Sequence, residues 1–299
     1  MRSLITGGRG FVGHWLADHL RELGDDVVAI DREVEITDPA ALLEAMSRSA
    51  PDAVYHLAAL THVGQSWDEP LKVLEVNIIG TAAVLAAARQ CGTDPRVLVT
   101  SSAEVYGAVT DPGRLPLREE SPTAPLTPYA ASKLAAEAVV AQAHLGHGQH
   151  VITVRPFNHI GPGQTPNFAV PALAKRIVDA DRRGAATIPV GNLSARRDFT
   201  DVRDVVRAYR LLVESGRPGE VYNVCSGRDV SIREIADGLL QLAGTTLEFE
   251  IDPSLVRPVE VPVLRGDPGR LVEATAWKPE VSLEQTLADV LAYWQEHAE

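Results

Sequence analysis

Cysteine is nearly missing from this chain. Cys91 and Cys225 are the only two in 299 residues, too few for a disulfide framework and without the paired spacing that grips a metal. A reducing cytoplasm is the compartment this implies, and Cys91, after an alanine-rich stretch, reads as packing. Positive charge is also in deficit. The formal net charge of −12 argues against general binding to nucleic acid or to an anionic membrane, so an anionic ligand would need a local arginine cluster. No apolar run stands out as long enough to cross a bilayer. The first apolar run begins almost at Met1, which leaves no room for a signal peptide. There is no internal repeat and no low-complexity tract. What remains, with 45% hydrophobic and 23% charged residues, suits one or two packed globular domains.

What is present starts at the N-terminus. The apolar run Leu4-Ile5-Thr6 gives way to Gly7-Gly8-Arg9-Gly10-Phe11-Val12-Gly13 and then to a helical pattern through Trp15, Leu16, Leu20 and Leu23. This predicts a strand, a glycine turn and a helix start, whose N–H groups and positive dipole end suit a dinucleotide pyrophosphate. The next apolar run, Val27 to Ile30, ends in Asp31, about 20 residues past the turn, where an acid can hold a ribose diol. Without Asp31 the same pattern would read as an ordinary strand–helix turn.

Strand–helix alternation continues through the first half. Strands are predicted over 4–6, 27–30, 53–56, 97–100 and 151–155, and helices over 11–23, 39–48, 69–89 and 128–145. That order predicts an α/β fold with a Rossmann-type doubly wound parallel sheet, which binds ligands beyond the carboxyl ends of its strands. Residues 107–128, rich in proline and turn formers, read as a loop over the site. After Asn158 the pattern shifts to Gly161-Pro-Gly163, a helix near 168–183 and shorter elements. We therefore divide the chain into a dinucleotide-binding domain over 1–157, with segments after 190 returning to it, and a smaller α+β domain mainly over 158–299.

Tyr129-Ala-Ala-Ser-Lys133 carries the chemistry. A free phenol has a pKa near ~10 and exchanges protons poorly at neutral pH. An ammonium at i+4 lies on the same helix face and favours the phenolate. The motif alone occurs by chance in many helices; its weight comes from the glycine turn upstream.

The motifs now stand in order: the glycine turn, His56-Leu57-Ala58-Ala59, Asn77-Ile-Ile-Gly-Thr81, Ser101-Ser102-Ala103-Glu104-Val105-Tyr106-Gly107, Tyr129 to Lys133, and Arg155-Pro156-Phe157-Asn158. Across essentially the whole chain they resemble the extended short-chain dehydrogenases/reductases that act on nucleotide sugars. Phe157 to Gln164, Arg197 to Asp204 and Val221 to Gly227 resemble the GDP-sugar branch. That branch holds 4-ketoreductases of 4-keto-6-deoxy sugars (the GDP-rhamnose type) and GDP-mannose 4,6-dehydratases. The chain's 299 residues favour the reductase, because the dehydratases are usually longer. A 4-epimerase or a non-catalytic dinucleotide sensor are the remaining readings; sensors on this fold commonly lose the tyrosine or lysine.

The resemblance implies roles for individual residues. Tyr129 is the acid/base, Lys133 lowers its pKa and holds the nicotinamide ribose, and Ser102 orients the substrate carbonyl. Glu104 stands where dehydratases carry the base that removes the C5 proton, although reductases can keep it and a solvated loop carboxylate is as good a reading. NAD or NADP would lie against Gly7, Gly10, Phe11, Val12, Gly13, Asp31, Arg32, Glu35, Ile36, Leu57, Ala58, Ala59, Asn77, Thr100, Pro156 and His159. Asp31 favours an unphosphorylated ribose, whereas Arg32 and Arg9 could meet a 2′-phosphate. Only six residues separate Asp31 from Asp38, too few for the family's extra strand. The sugar nucleotide would meet His62, Ser102, Glu104, Tyr129, Asn158, Arg197, Arg257 and Glu260, with the two arginines as bidentate cations for its diphosphate. Packing or surface ion pairing is the plainer alternative for His62 and for either arginine alone. The family pairs two long helices between subunits, which implies a homodimer through 69–89 and 128–145.

Overall fold

A computed structural model describes residues 1–109, 111–255 and 261–297. Arg257 and Glu260 lie outside the described residues. The first half runs β1 (Arg2–Thr6), α1 (Phe11–Glu22), β2 (Asp26–Ile30), α2 (Pro39–Ser49), β3 (Ala53–His56), α3 (Pro70–Leu74), α4 (Gly80–Gln90), β4 (Arg96–Thr100), α5 (Pro128–His147) and β5 (Val151–Pro156). The second half runs β6 (Asn158–Ile160), α6 (Ala169–Arg182), β7 (Thr187–Val190), β8 (Arg196–Asp201), α7 (Val202–Ser215), β9 (Val221–Val224), β10 (Asp229–Ser231), α8 (Ile232–Ala243), β11 (Glu248–Ile251), β12 (Val263–Leu264), α9 (Gly269–Thr275) and α10 (Leu283–His297).

Six strands form one parallel sheet in the order β2-β1-β3-β4-β5-β9. Helices cover both faces, so neighbouring strand residues serve opposite cores. Ile5, Tyr55, Leu98 and Val154 meet α1 and α7 on one side. Leu4, Val54, Val97, Val99 and Val151 meet α2, α4 and α5 on the other. Each fully buried aliphatic side chain contributes about 1.5–3 kcal/mol, and no buried charge interrupts Ala53–His56. Four of the five predicted strands extend by one or two residues beyond the sequence reading and the fifth coincides with it. The short link between β2 and α2 holds no strand, and Asp38 caps α2 by accepting from Ala40 N and Ala41 N. β2 is therefore the sheet edge.

The helix expected over 69–89 is a composite: α3 and α4 run on through one π-helical stretch, Glu75–Ile79. Taken together, Pro70–Gln90 is long and apolar enough to cross a membrane, which overturns the expectation that no such run exists. Half of its most apolar window is buried inside the molecule, where Val73, Ala83, Val84, Leu85, Ala87 and Ala88 are enclosed. Alanines that let α2, α4 and α5 approach closely also raise the hydropathy of the segment.

A second core gathers α6, α8 and α10 around Ile177, Ile235, Leu239, Leu287 and Trp294. Beside it, β8 joins β10 and β12, β6 pairs β8, and β11 pairs β7. The chain crosses back twice between these elements, placing first α7 and β9 and later α9 on the large sheet. Residues 111–128 are tied to the second half of the chain by a bridge from Leu117 to Gly266.

Candidate active site

The glycine turn is fixed by backbone sterics. Gly7 has φ +74°, and a Cβ there would sit 2.8 Å from Ala58 N; at Gly13 it would sit 2.2 Å from Gly7 O. Only glycine lets β1, α1 and the segment after β3 meet so closely. Gly10 precedes α1 and no side chain caps that helix, so its first-turn N–H groups at Phe11, Val12 and Gly13 face an external acceptor. Thr6 ties the floor together: its Oγ1 accepts from Ala58 N at 3.3 Å and meets His56 Nδ1 at 2.7 Å. His56 also meets Thr81 Oγ1 at 3.1 Å, and burial pushes its pKa down to about 3. It is a neutral structural imidazole.

Asp31 closes the turn from the end of β2. One carboxylate oxygen accepts from Arg9 N at 3.0 Å and the other from Arg32 N at 2.9 Å. The Arg9 guanidinium pairs with Glu33 at 3.3 Å while staying largely exposed. Ile36 is buried against Gly80, and Glu35 accepts from Thr37 within its own turn.

Three side chains converge at the carboxyl end of β4. Thr127 caps α5 through Ala130 N, which places Tyr129 in the first turn, buried, with its hydroxyl hydrogen-bonded to Ser102. Ser102 Oγ also accepts from Glu104 N at 3.2 Å. One turn on, Lys133 Nζ donates to the Thr100 carbonyl at 2.7 Å. Burial pushes the Tyr129 phenol up to about 12, with the Ser102 bond pulling down and the Glu104 charge pushing further up. The expected lowering by Lys133 is not met, because desolvation of the phenol wins and the ammonium is drawn to the Thr100 carbonyl. Burial also pushes Lys133 down to about 8, opposed by Glu137.

The other sequence-selected residues divide. His159 stacks on Phe11 at 6.2 Å and bonds the Phe157 carbonyl through Nδ1, which leaves Nε2 as its acceptor. Burial lowers its pKa, so it too is neutral. Pro156 ends β5 and Leu57 to Ala59 follow β3, both at the same sheet end. Asn77 does not offer its amide to that space: it bonds Leu60 O and N and Ser132 Oγ at 3.1, 2.8 and 2.9 Å. Asn158 is exposed on β6. Arg197, on β8, donates to the Arg196 carbonyl, and His62 accepts from Gln65 N on an exposed turn.

Sequence reasoning passed over the polar layer behind Tyr129 and Lys133. Arg155 makes a bidentate pair with Glu137 at 2.8 and 2.6 Å, Ser101 Oγ donates to the same carboxylate at 2.5 Å, and Tyr106 Oη donates to Asn223 Oδ1 at 2.7 Å. Also passed over was Asp198, which burial pushes up to about 6 and which accepts from Ser226 N, Gly227 N and Gly266 N. The available signal was the repeat of four along α5 from Tyr129 to Lys133 to Glu137.

Comparison with known proteins follows this geometry. The profile of the family described as GDP-mannose 4,6 dehydratase matches residues 32–290. GDP-6-deoxy-D-mannose reductase of Pseudomonas aeruginosa is 37% identical over 98% of this chain and 97% of its own. GDP-mannose 4,6-dehydratase of Yersinia enterocolitica is 26% identical over 97% and 93%. The structure of RMD from Pseudomonas aeruginosa complexed with NADPH superposes with a TM-score of 0.92, at 37% identity and full coverage of both chains.

Proposed function

The chain belongs to the GDP-mannose 4,6 dehydratase family, and from that premise we propose that it reduces the C4 keto group of a GDP-linked 4-keto-6-deoxy sugar with NAD(P)H. The observation that carries this reading is the convergence of Tyr129, Ser102 and Lys133 at one strand end, in a chain similar along its whole length to a GDP-6-deoxy-D-mannose reductase. The glycine cradle, with its uncapped helix start, fits a dinucleotide pyrophosphate.

A reduced nicotinamide dinucleotide supplies hydride when bound. Ser102 donates to the substrate oxygen and holds the carbonyl for attack. Tyr129 Oη passes its proton to the oxygen as that atom gains charge. The phenolate left behind is stabilised by Lys133 and takes its proton back from water. With pKa near 12 in the free protein, Tyr129 is held in the protonated form that a reductase needs at neutral pH. Phe11, Val12, Gly13, Asp31 and His159 would line the dinucleotide, with Arg9 and Arg32 beside the 2′ position. Asn158 and Arg197 would take the sugar diphosphate, and the residues at 257 and 260 complete that proposal. Residues 1–157 would thus hold mainly cofactor and 158–299 mainly substrate.

Glu104 favours a second reading, GDP-mannose 4,6-dehydratase, since a half-buried carboxylate acts on Tyr129 and could remove a C5 proton. Purified protein with GDP-4-keto-6-deoxy-mannose should consume NAD(P)H stoichiometrically. A 4-keto product from GDP-mannose without added NAD(P)H would instead make it the dehydratase.

Assembly as a homodimer through α3, α4 and α5 is part of the proposal. Leu71 and Leu145 are 79% and 84% exposed there, and α4 and α5 also line a groove with Ala82, Ala86, Val139 and His147. Sedimentation should give twice the 32.1 kDa chain mass; a monomer would remove this part. Unpaired Cys91 and Cys225 support a reducing compartment such as the cytoplasm.

A further inference from the structure

Tyr129, Lys133 and Glu137 occupy successive i, i+4 positions on α5, so they share one helix face. The third of them has no part in the chemistry above. Its carboxylate is nearly enclosed, as is Arg155, with side chains 11% and 7% exposed. Glu137 Oε1 accepts from Ser101 Oγ at 2.5 Å and Arg155 Nε at 2.8 Å, and Oε2 accepts from Arg155 Nη2 at 2.6 Å. Arg155 Nη1 donates onward to Tyr106 Oη and the Glu119 carbonyl, both at 3.0 Å. The cluster therefore fastens α5 to the ends of β4 and β5 and to the loop over the site.

A buried ion pair is a weak source of stability, because its desolvation offsets its attraction and an apolar pair of similar volume often serves as well. Its placement suggests another use. Tyr129 and Glu137 lie one turn to either side of Lys133 on its own helix, and Glu137, His56 from β3 and the Thr100 carbonyl from β4 are the groups that interact with it. Arg155 from β5, Tyr106 and Glu104 from the turn after β4, and Glu119 from the covering loop lie one contact further out. His56 is neutral and cannot hold an ammonium. Glu137 is the carboxylate that opposes the loss of charge which burial imposes on Lys133.

We propose that Glu137 is a positioning residue: clamped by Arg155 and Ser101, it keeps the Lys133 ammonium charged and in place at the Thr100 carbonyl, one helical turn from Tyr129. The inference rests on the acid–base role given to Tyr129 and Lys133. Replacing Glu137 with Gln keeps its shape but removes the attraction and leaves the Arg155 cation unpaired nearby. Both changes push Lys133 toward the neutral amine. In the double variant Glu137→Gln/Arg155→Met, where no cation is left unpaired, a carboxylate that served only as structural glue for Arg155 would leave the lysine's titration where it was.

The chain has four lysines, Lys72, Lys133, Lys175 and Lys278, so the side-chain carbon signals of a 13C-lysine-labelled sample can be followed one by one. In the free wild-type protein Lys133 should titrate near 8, identified by the signal that Lys133→Met removes. Glu137→Gln should lower that midpoint by about one unit or more and move the alkaline fall of kcat/KM the same way. Glu137→Asp should restore most of both. The double variant Glu137→Gln/Arg155→Met leaves no unpaired buried charge, so it keeps the test alive if the single variant fails to fold. Its Lys133 midpoint should also lie below wild type, by a smaller amount. An unchanged or higher midpoint in the folded variants overturns the proposal. Because the titration is read in the free protein, inactivity of the wild type on the keto-sugar would sink the reductase reading without touching it.

Discussion

The two ends of the proposed site are built by different physics. At the glycine turn, positions are dictated by backbone contact: Gly7 against Ala58 and Gly13 against Gly7 leave no room for a side chain. At the opposite end, exposed Asn158 on β6 and Arg197 on β8 are held by strand pairing between distant segments, and the ligand contacts proposed for them would depend on side-chain reach. A site fixed by sterics tolerates little change and looks alike across many relatives. One fixed by side-chain reach can be retuned residue by residue. A reductase and a dehydratase are 37% and 26% identical to this same chain.

Substitutions can test that contrast, beginning where the two ends meet. Tyr129→Phe should cut kcat by about 10³-fold while the dinucleotide Kd, measured by fluorescence, stays within about twofold of wild type. Retained activity would remove the phenol from the chemistry. Lys133→Met should raise stability at neutral pH by a few kcal/mol, on the order of 1.4 for each unit by which its pKa is depressed. The sign follows from the direction: a lysine lowered from 10.5 to about 8 gives its full stability only above 10.5 and loses it as pH falls through 8. The gain of the variant, read as Tm from pH 6 to 10.5, should therefore be largest below pH 8 and fade above it. A gain independent of pH would contradict this.

Gly13→Ala should cost about 2 kcal/mol through the clash with Gly7 O and abolish dinucleotide binding, which calorimetry and denaturation would show together. Arg197→Ala should act at one end alone, raising the KM for the sugar nucleotide by about tenfold with the dinucleotide Kd unchanged. If both constants moved equally, the separation of the two ends would fail.

Local rules made the first end legible in the sequence. The short apolar, β-branched runs of β1, β3 and β4, the glycine spacing and the Asp31 offset all concern residues near one another in the chain. The layer behind the site was hidden because its bonds join residues far apart in sequence: Tyr106 to Asn223, Arg155 to Glu119, Arg118 to Asp267. The surroundings of Asn77 were hidden for a related reason. Its motif placed it at the site, and its amide joins the Leu60 backbone to Ser132 of α5, 55 residues away. The phenol–ammonium spacing was read correctly as a shared helix face, whereas the Tyr129 pKa depended on burial that spacing does not reveal.

The central claim is tested most directly by following the hydride. Incubation with NADPH carrying deuterium at nicotinamide C4 and with GDP-4-keto-6-deoxy-mannose should place one deuterium at C4 of the product sugar, as read by NMR. Product without label at C4, or label retained entirely in the dinucleotide, would contradict the reductase reading.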